Sequence, residues 1–110
     1  MPKQAVAELD LVFHALGDPT RRAVIERLGR GPVATSELAR GFAMSLPSFT
    51  QHLGVLERSG LVTSHKRGRV RTYDLAPAPM RSAQDWLAEQ YDMWTRRLDQ
   101  LDAYLKELHQ

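Results

Sequence analysis

A mostly α-helical domain carrying one small β-hairpin is the fold class this sequence predicts. Apolar residues recur at three- and four-residue spacing through most of its 110 positions, which is the period of a helix. Only residues 61–66 and 70–75 turn to β-type runs, separated by Arg67-Gly68, a turn pair with glycine available for the strained position. Proline and glycine punctuation divides the rest into four helices before the hairpin and one after it. That order, ααααββα, is a winged helix-turn-helix with a long C-terminal helix.

The first helix is expected over 4–16, with Val6, Leu9, Phe13 and Leu16 at helical spacing and Gly17 ending it. Asp18 caps the second helix and Pro19 takes its first position, where a missing N–H costs nothing. Ala23, Val24 and Leu28 supply its apolar side, and Gly29 to Pro32 stop it. Thr35 is the expected N-cap of the third helix, Glu37 suits its positive end, and Leu38, Ala39 and Phe42 face inward. Ala43-Met44 make the turn. Ser45 caps the fourth helix, Pro47 sits in its first turn, and Gly60 follows Ser59 as a left-handed terminator. Val62, Tyr73 and Leu75 read as hairpin core.

Pro77 and Pro79 introduce the terminal helix, 80–108, which at 1.5 Å per residue reaches about 43 Å. So small a core cannot cover that length. Its stripe of Leu87, Tyr91, Trp94, Leu98, Leu101, Leu105 and Leu108 alternates four- and three-residue steps, a heptad seam suited to a second subunit. The expected layout is one domain over 1–110, with the helix-turn-helix at 35–59, the wing at 61–75 and dimerisation helices at 4–16 and 80–108.

Composition narrows the function. There is no cysteine, so disulfides, thiolate metal sites and thiol redox chemistry are excluded. No apolar stretch approaches the ~18 residues of a membrane span, and Glu8 and Asp10 interrupt the first apolar segment, so no membrane partner and a cytoplasmic location are expected. The net charge of +2 conceals an asymmetry: residues 19–73 carry ten Lys/Arg against three acids, a net +7, and the remainder sums to −5. A cationic middle between acidic ends suits a surface laid against a polyanion.

The fourth helix and the hairpin concentrate that chemistry. At 100° per residue from Phe49, the side chains of Leu46, Leu53 and Leu56 fall within roughly 60° and form the expected buried side. Pro47, Gln51, Gly54 and Arg58 land opposite, with Ser48, Thr50 and Val55 on the flanks. A small polar face of this kind can approach base edges in a major groove about 12 Å wide. Gln51 suits a bidentate contact to adenine, and Ser48 and Thr50 can bond bases or phosphates. His52, on the edge of the buried side, fits packing or a phosphate contact better than base reading. Lys66, Arg67, Arg69 and Arg71 gather around Gly68, as in a wing that tracks the backbone or places an arginine, first of all Arg69, in the minor groove.

The segments ALGDPTRRAVIERL, SELARGFAMSLPSFTQHLGVLERSGLV and GRVRTYDL resemble the ArsR/SmtB-type winged-helix transcriptional repressors, and the tail looks like a thiol-free, non-metal-sensing branch. The resemblance covers almost the whole chain. It implies a homodimer paired through the first and last helices, here Val6, Leu9, Phe13, Leu87, Tyr91, Trp94, Leu98, Leu101 and Leu105. It also implies double-stranded DNA as partner, a palindromic operator read by the helix beginning at Ser45, and hairpin contacts to flanking DNA.

The chain departs from the family at its sensory sites. The cysteine pair of metal-sensing members has no counterpart in TSELARGF, and the terminal helix offers Asp85, Glu89 and Asp92 with His109 as its single histidine, a weak zinc set. No cofactor or metal is expected. His14 reads as structural and His65 as part of the wing charge. Trp86, Tyr91, Met93 and Trp94 read first as core; the alternative is that they lodge a small apolar effector at the dimer seam. No nucleophile, Gly-rich phosphate loop or HExxH supports an enzyme. The competing reading is a winged-helix protein-interaction module without DNA binding, which has little use for a cationic wing.

Overall fold

The computed structural model describes residues 3–109, with side chains from residue 7 onward; Val6, expected at the dimer seam, lies outside the described side chains. The elements are α1 (Lys3–Leu16), α2 (Pro19–Leu28), β1 (Val33–Ala34), α3 (Thr35–Ala39), α4 (Leu46–Arg58), β2 (Val62–Arg67), β3 (Val70–Leu75) and α5 (Ala78–Leu108). The three strands form one antiparallel sheet in the order β1-β3-β2.

Local chemistry sets most boundaries. Asp18 has extended backbone and its Oδ2 accepts the Arg21 N–H at 3.0 Å, with Pro19 opening α2. Ser45 does the same for α4, its Oγ accepting the Ser48 N–H at 3.3 Å. Each cap satisfies one of the donors a helix start leaves unpaired. Beyond α4, Gly60 takes φ +81° and its N–H donates to the Glu57 carbonyl at 3.0 Å. The buried Ser59 donates from Oγ to the Leu56 carbonyl and accepts from the Leu61 N–H, which satisfies a polar group inside the core.

The core lies where α1, α2, α4 and the sheet converge. Phe49, Leu53 and Leu56 enter it from α4, Val24 and Leu28 from α2, Val12 and Ala15 from α1, and Leu38, Leu61, Val62 and Tyr73 close it.

Several expectations are corrected. Thr35 is the first residue of α3, not its cap; Ala34, the preceding residue, pairs with Thr72 in the sheet, and the Thr35 hydroxyl donates across to the Arg71 carbonyl at 3.1 Å. With a strand running directly into the helix, the threonine side chain is drawn to β3 instead of to its own helix. The helix is also short, so Phe42 lies beyond it, in the turn, stacked on Phe49 with ring centroids 5.0 Å apart. β1 is too brief to register as a periodic pattern and exists only because β3 has a free edge. In the hairpin Arg67 pairs with Val70, so the turn residues are Gly68-Arg69, one position later than expected. Gly68 at φ +64° is the only left-handed residue of the two, the arrangement of a type II′ turn.

Leu46 is the sharpest departure. Placed on the buried side by the helical wheel, it is 58 % exposed, because the first turn of α4 projects past the core that its later turns cover.

α5 departs from the body. Ala83 is its one buried residue, and Trp86 meets Phe13 of α1 edge to face at 5.6 Å. The seven stripe residues from Leu87 to Leu108 are 44–69 % exposed. The molecule measures 73 × 32 × 22 Å with a radius of gyration of 19.6 Å, against about 13 Å for a compact chain of this length.

Candidate nucleic-acid interface

Two elements carry the exposed cationic and polar side chains. The first is the N-terminal half of α4. Ser45, Pro47, Ser48, Thr50 and Gln51 are all exposed there. Their hydroxyls are not equally free. Ser45 Oγ donates to Ser48 Oγ at 3.0 Å, and Thr50 Oγ1 donates to the Leu46 carbonyl at 2.8 Å. Gln51 has no side-chain hydrogen bond among the described residues and can offer both its donor and its acceptor outward.

His52 faces elsewhere. It is half-buried, with Nδ1 3.2 Å from Arg21 Nη1 and 3.6 Å from Asp18 Oδ2. Arg21 also donates through Nε to the Ala15 carbonyl at 2.8 Å and through Nη2 to that of His14 at 2.9 Å. Arg22 donates to the Leu16 carbonyl at 2.8 Å. Two arginines thus satisfy three carbonyls at the end of α1, and Arg21 connects that end to α4 through His52. The Arg21 N–H, opposed by burial and aided by the charges of His52 and Arg21, holds the Asp18 carboxyl below its ordinary range. From the sequence Asp18 is a cap only and Arg21 has no role, because a contact spanning 31 positions leaves no local signal.

The wing is the second element. Lys66, Arg67, Arg69 and Arg71 are exposed along it, with Lys66 paired directly opposite Arg71. Like charges facing across strands repel, so this arrangement favours an anion at the surface. Arg69 sits in the tip turn. Arg71, one pair back from the turn, is held along the wing: its Nη1 donates to Ser64 Oγ at 2.8 Å, and Ser64 donates to Glu57 Oε2 of α4 at 3.1 Å. That chain fixes the wing's direction relative to α4. Burial, followed by the Glu57 carboxylate, pushes the nearby Tyr73 hydroxyl above its ordinary range. Arg58 lies over Gly54, where an added Cβ would come within 3.2 Å of its Nη1, and it lines the cleft between α1, the end of α4 and the start of α5.

The residues expected at a dimer seam separate into two groups. Leu9 is buried in the chain's own core and Phe13 is half-buried against Trp86, whereas Leu87, Tyr91, Trp94, Leu98, Leu101 and Leu105 are exposed. A cleft of about 610 Å³ opens between α1, the end of α4 and the start of α5, lined among others by Leu11, Pro79, Trp86, Glu8, Asp85 and Glu89. Of the side chains considered for an effector, Trp86 lines it and Tyr91, Met93 and Trp94 do not. Among the described residues no three His, Asp or Glu side chains converge as a metal-ligand set, and no helix is long and apolar enough to cross a membrane.

A helix pair joined by a turn, a polar second helix and a basic hairpin fixed beside it define a winged helix-turn-helix DNA-binding domain. A family model described as a helix-turn-helix domain matches residues 16–65. The HTH-type transcriptional regulator Rv2034 of Mycobacterium tuberculosis is 42 % identical over 81 % of this chain and 80 % of its own length. The transcriptional repressor SdpR of Bacillus subtilis is 30 % identical over 69 % of this chain and 84 % of its own. The crystal structure of the ArsR family transcriptional regulator RHA00566 superposes with a TM-score of 0.77 at 50 % identity, covering 81 % of this chain and 92 % of that one. The chain belongs to the ArsR/SmtB family of transcriptional regulators. It is a DNA-binding regulator and not an enzyme.

Proposed function

We propose that this protein is a homodimeric repressor that binds an inverted-repeat operator, with α4 in the major groove and the wing on flanking DNA. The site of action is the cytoplasm. Within each half-site Gln51 reads a base pair, Ser45, Pro47 and Ser48 approach the groove floor or its phosphates, and Lys66, Arg67 and Arg69 engage the backbone. His52 and Arg71 position these elements from behind. The observation that carries the dimer is the heptad stripe of α5, apolar by sequence yet more than two-fifths exposed at every position from Leu87 to Leu108. A protein leaves so long an apolar strip uncovered only where something else covers it. A two-fold pairing there, with α1 alongside, presents two recognition helices about one DNA turn, roughly 34 Å, apart.

The test is selection of bound duplexes from a random pool, with the mass of the protein measured by analytical ultracentrifugation. An inverted repeat bound by a species of twice the chain mass is expected. A monomer, or a pool without symmetry after selection, overturns the reading; absence of any duplex binding at low salt would favour a protein-interaction module.

A further inference from the structure

The recognition helix is less polar at its N-terminal end than its sequence implies. Leu46, exposed at 58 %, meets no core, and the residue one turn later on the same face is Thr50. The Thr50 hydroxyl proton is already committed to the Leu46 carbonyl at 2.8 Å. What Thr50 offers outward beyond a lone pair is therefore its methyl group. Pro47, also exposed, has no side-chain donor or acceptor. A lone exposed leucine would carry no meaning, but here Leu46 lies one turn before Thr50 and Pro47 one turn before Gln51, so three apolar groups occupy the two turns that carry this freely offered amide. In the major groove the thymine C5-methyl is the apolar feature available to such groups.

We propose that Leu46 and the methyl of Thr50 form a patch that recognises a thymine methyl next to the base pair read by Gln51. The inference rests on the placement of α4 in the major groove and adds the identity of a neighbouring base. Cytosine and purines lack the methyl and leave the patch against polar edges. Specificity at that position comes from apolar contact and from the dislike of exposed apolar groups for a polar partner, without a further hydrogen bond.

The experiment uses the selected operator and replaces each thymine of one half-site in turn with deoxyuridine, which keeps Watson–Crick pairing and removes only the methyl. Affinities are measured by fluorescence anisotropy for the wild-type chain, Leu46→Ala and Thr50→Ser. The serine retains the hydroxyl and its bond to the Leu46 carbonyl. One thymine is expected whose replacement weakens wild-type binding about fourfold, the ratio for one buried methyl. That penalty should vanish in Leu46→Ala and shrink in Thr50→Ser. Both side chains are exposed, so thermal unfolding of the variants should match the wild type. The proposal fails if the wild type binds its selected site with no deoxyuridine penalty near the Gln51 base pair, or if the penalty is the same in all three proteins. Failure of the wild type to select or bind any duplex is a different result and removes the underlying placement of α4 as well.

Discussion

Arg21 has no sequence feature to distinguish it from the chain's other arginines, yet it ties α1, α2 and α4 together. Its three nitrogens reach two carbonyls at the end of α1 and the ring of His52. Lysine cannot reproduce that fork. Arg21→Ala should lower stability by about 1–3 kcal/mol, the cost of leaving part-buried acceptors unpaired, measurable as a lower urea midpoint. Asp18 carries a pH signature. Its folded carboxyl binds a proton more weakly than in the unfolded chain, so its stabilisation is complete above the ordinary carboxylate value of about 3.9. It disappears as pH falls through the lowered value. Asp18→Asn keeps a cap oxygen and should therefore show a flatter dependence of unfolding midpoint on pH below about 4. On the proposed DNA face, Gln51→Ala should weaken operator binding by about 1–3 kcal/mol and relax preference at one base pair. Arg69→Ala should weaken all duplexes alike and reduce the salt slope by about one. Anisotropy titrations across salt and sequence separate the two outcomes.

Among the elements, the junction of α4 with β2 is the most constrained. Gly60 holds φ +81°, and a Cβ there would meet Pro79 Cγ at 3.3 Å. That left-handed residue turns the chain from the recognition helix into the wing while the first proline-bearing turn of α5 packs over it. Gly60→Ala should cost on the order of 1–2 kcal/mol from backbone strain alone, with any contact with Pro79 adding to it. Thermal unfolding by circular dichroism measures the loss. On the other side of the wing, the Arg71–Ser64–Glu57 chain holds β2 and β3 in a fixed direction from α4. A wing free to swing would lose entropy when it docked on DNA; one already directed does not.

For the whole molecule, a compact body with a helix of ~46 Å attached leaves its longest apolar surface outside its own core. The seam centres on Trp94, Leu98 and Leu101, each more than half exposed. Leu98→Asp would bury a carboxylate in the proposed interface and should convert the dimer to monomers in sedimentation equilibrium. Because the residue touches no core of its own chain, the monomer should keep its helical content and unfolding cooperativity. Its operator affinity should fall sharply, since one half-site then binds without the other.

Much of this protein is determined locally and can be read from the chain alone. Asp18, Ser45 and Gly60 act on backbone groups within three residues, so α2 and α4 begin and α4 ends where those residue types stand. β2 and β3 follow from two β-type runs on either side of a glycine, and the cationic wing is a matter of composition around that glycine. What only the tertiary structure decided comes from contacts between distant positions. β1 forms because β3 offers an edge, Thr35 bonds to β3 instead of capping α3, His52 turns toward Arg21, and Leu46 is uncovered because the core ends one turn further along α4. A helical wheel gives the direction of a side chain but not how far the neighbouring layer extends. Direction is a property of the backbone period, whereas coverage depends on which remote segments arrive beside it.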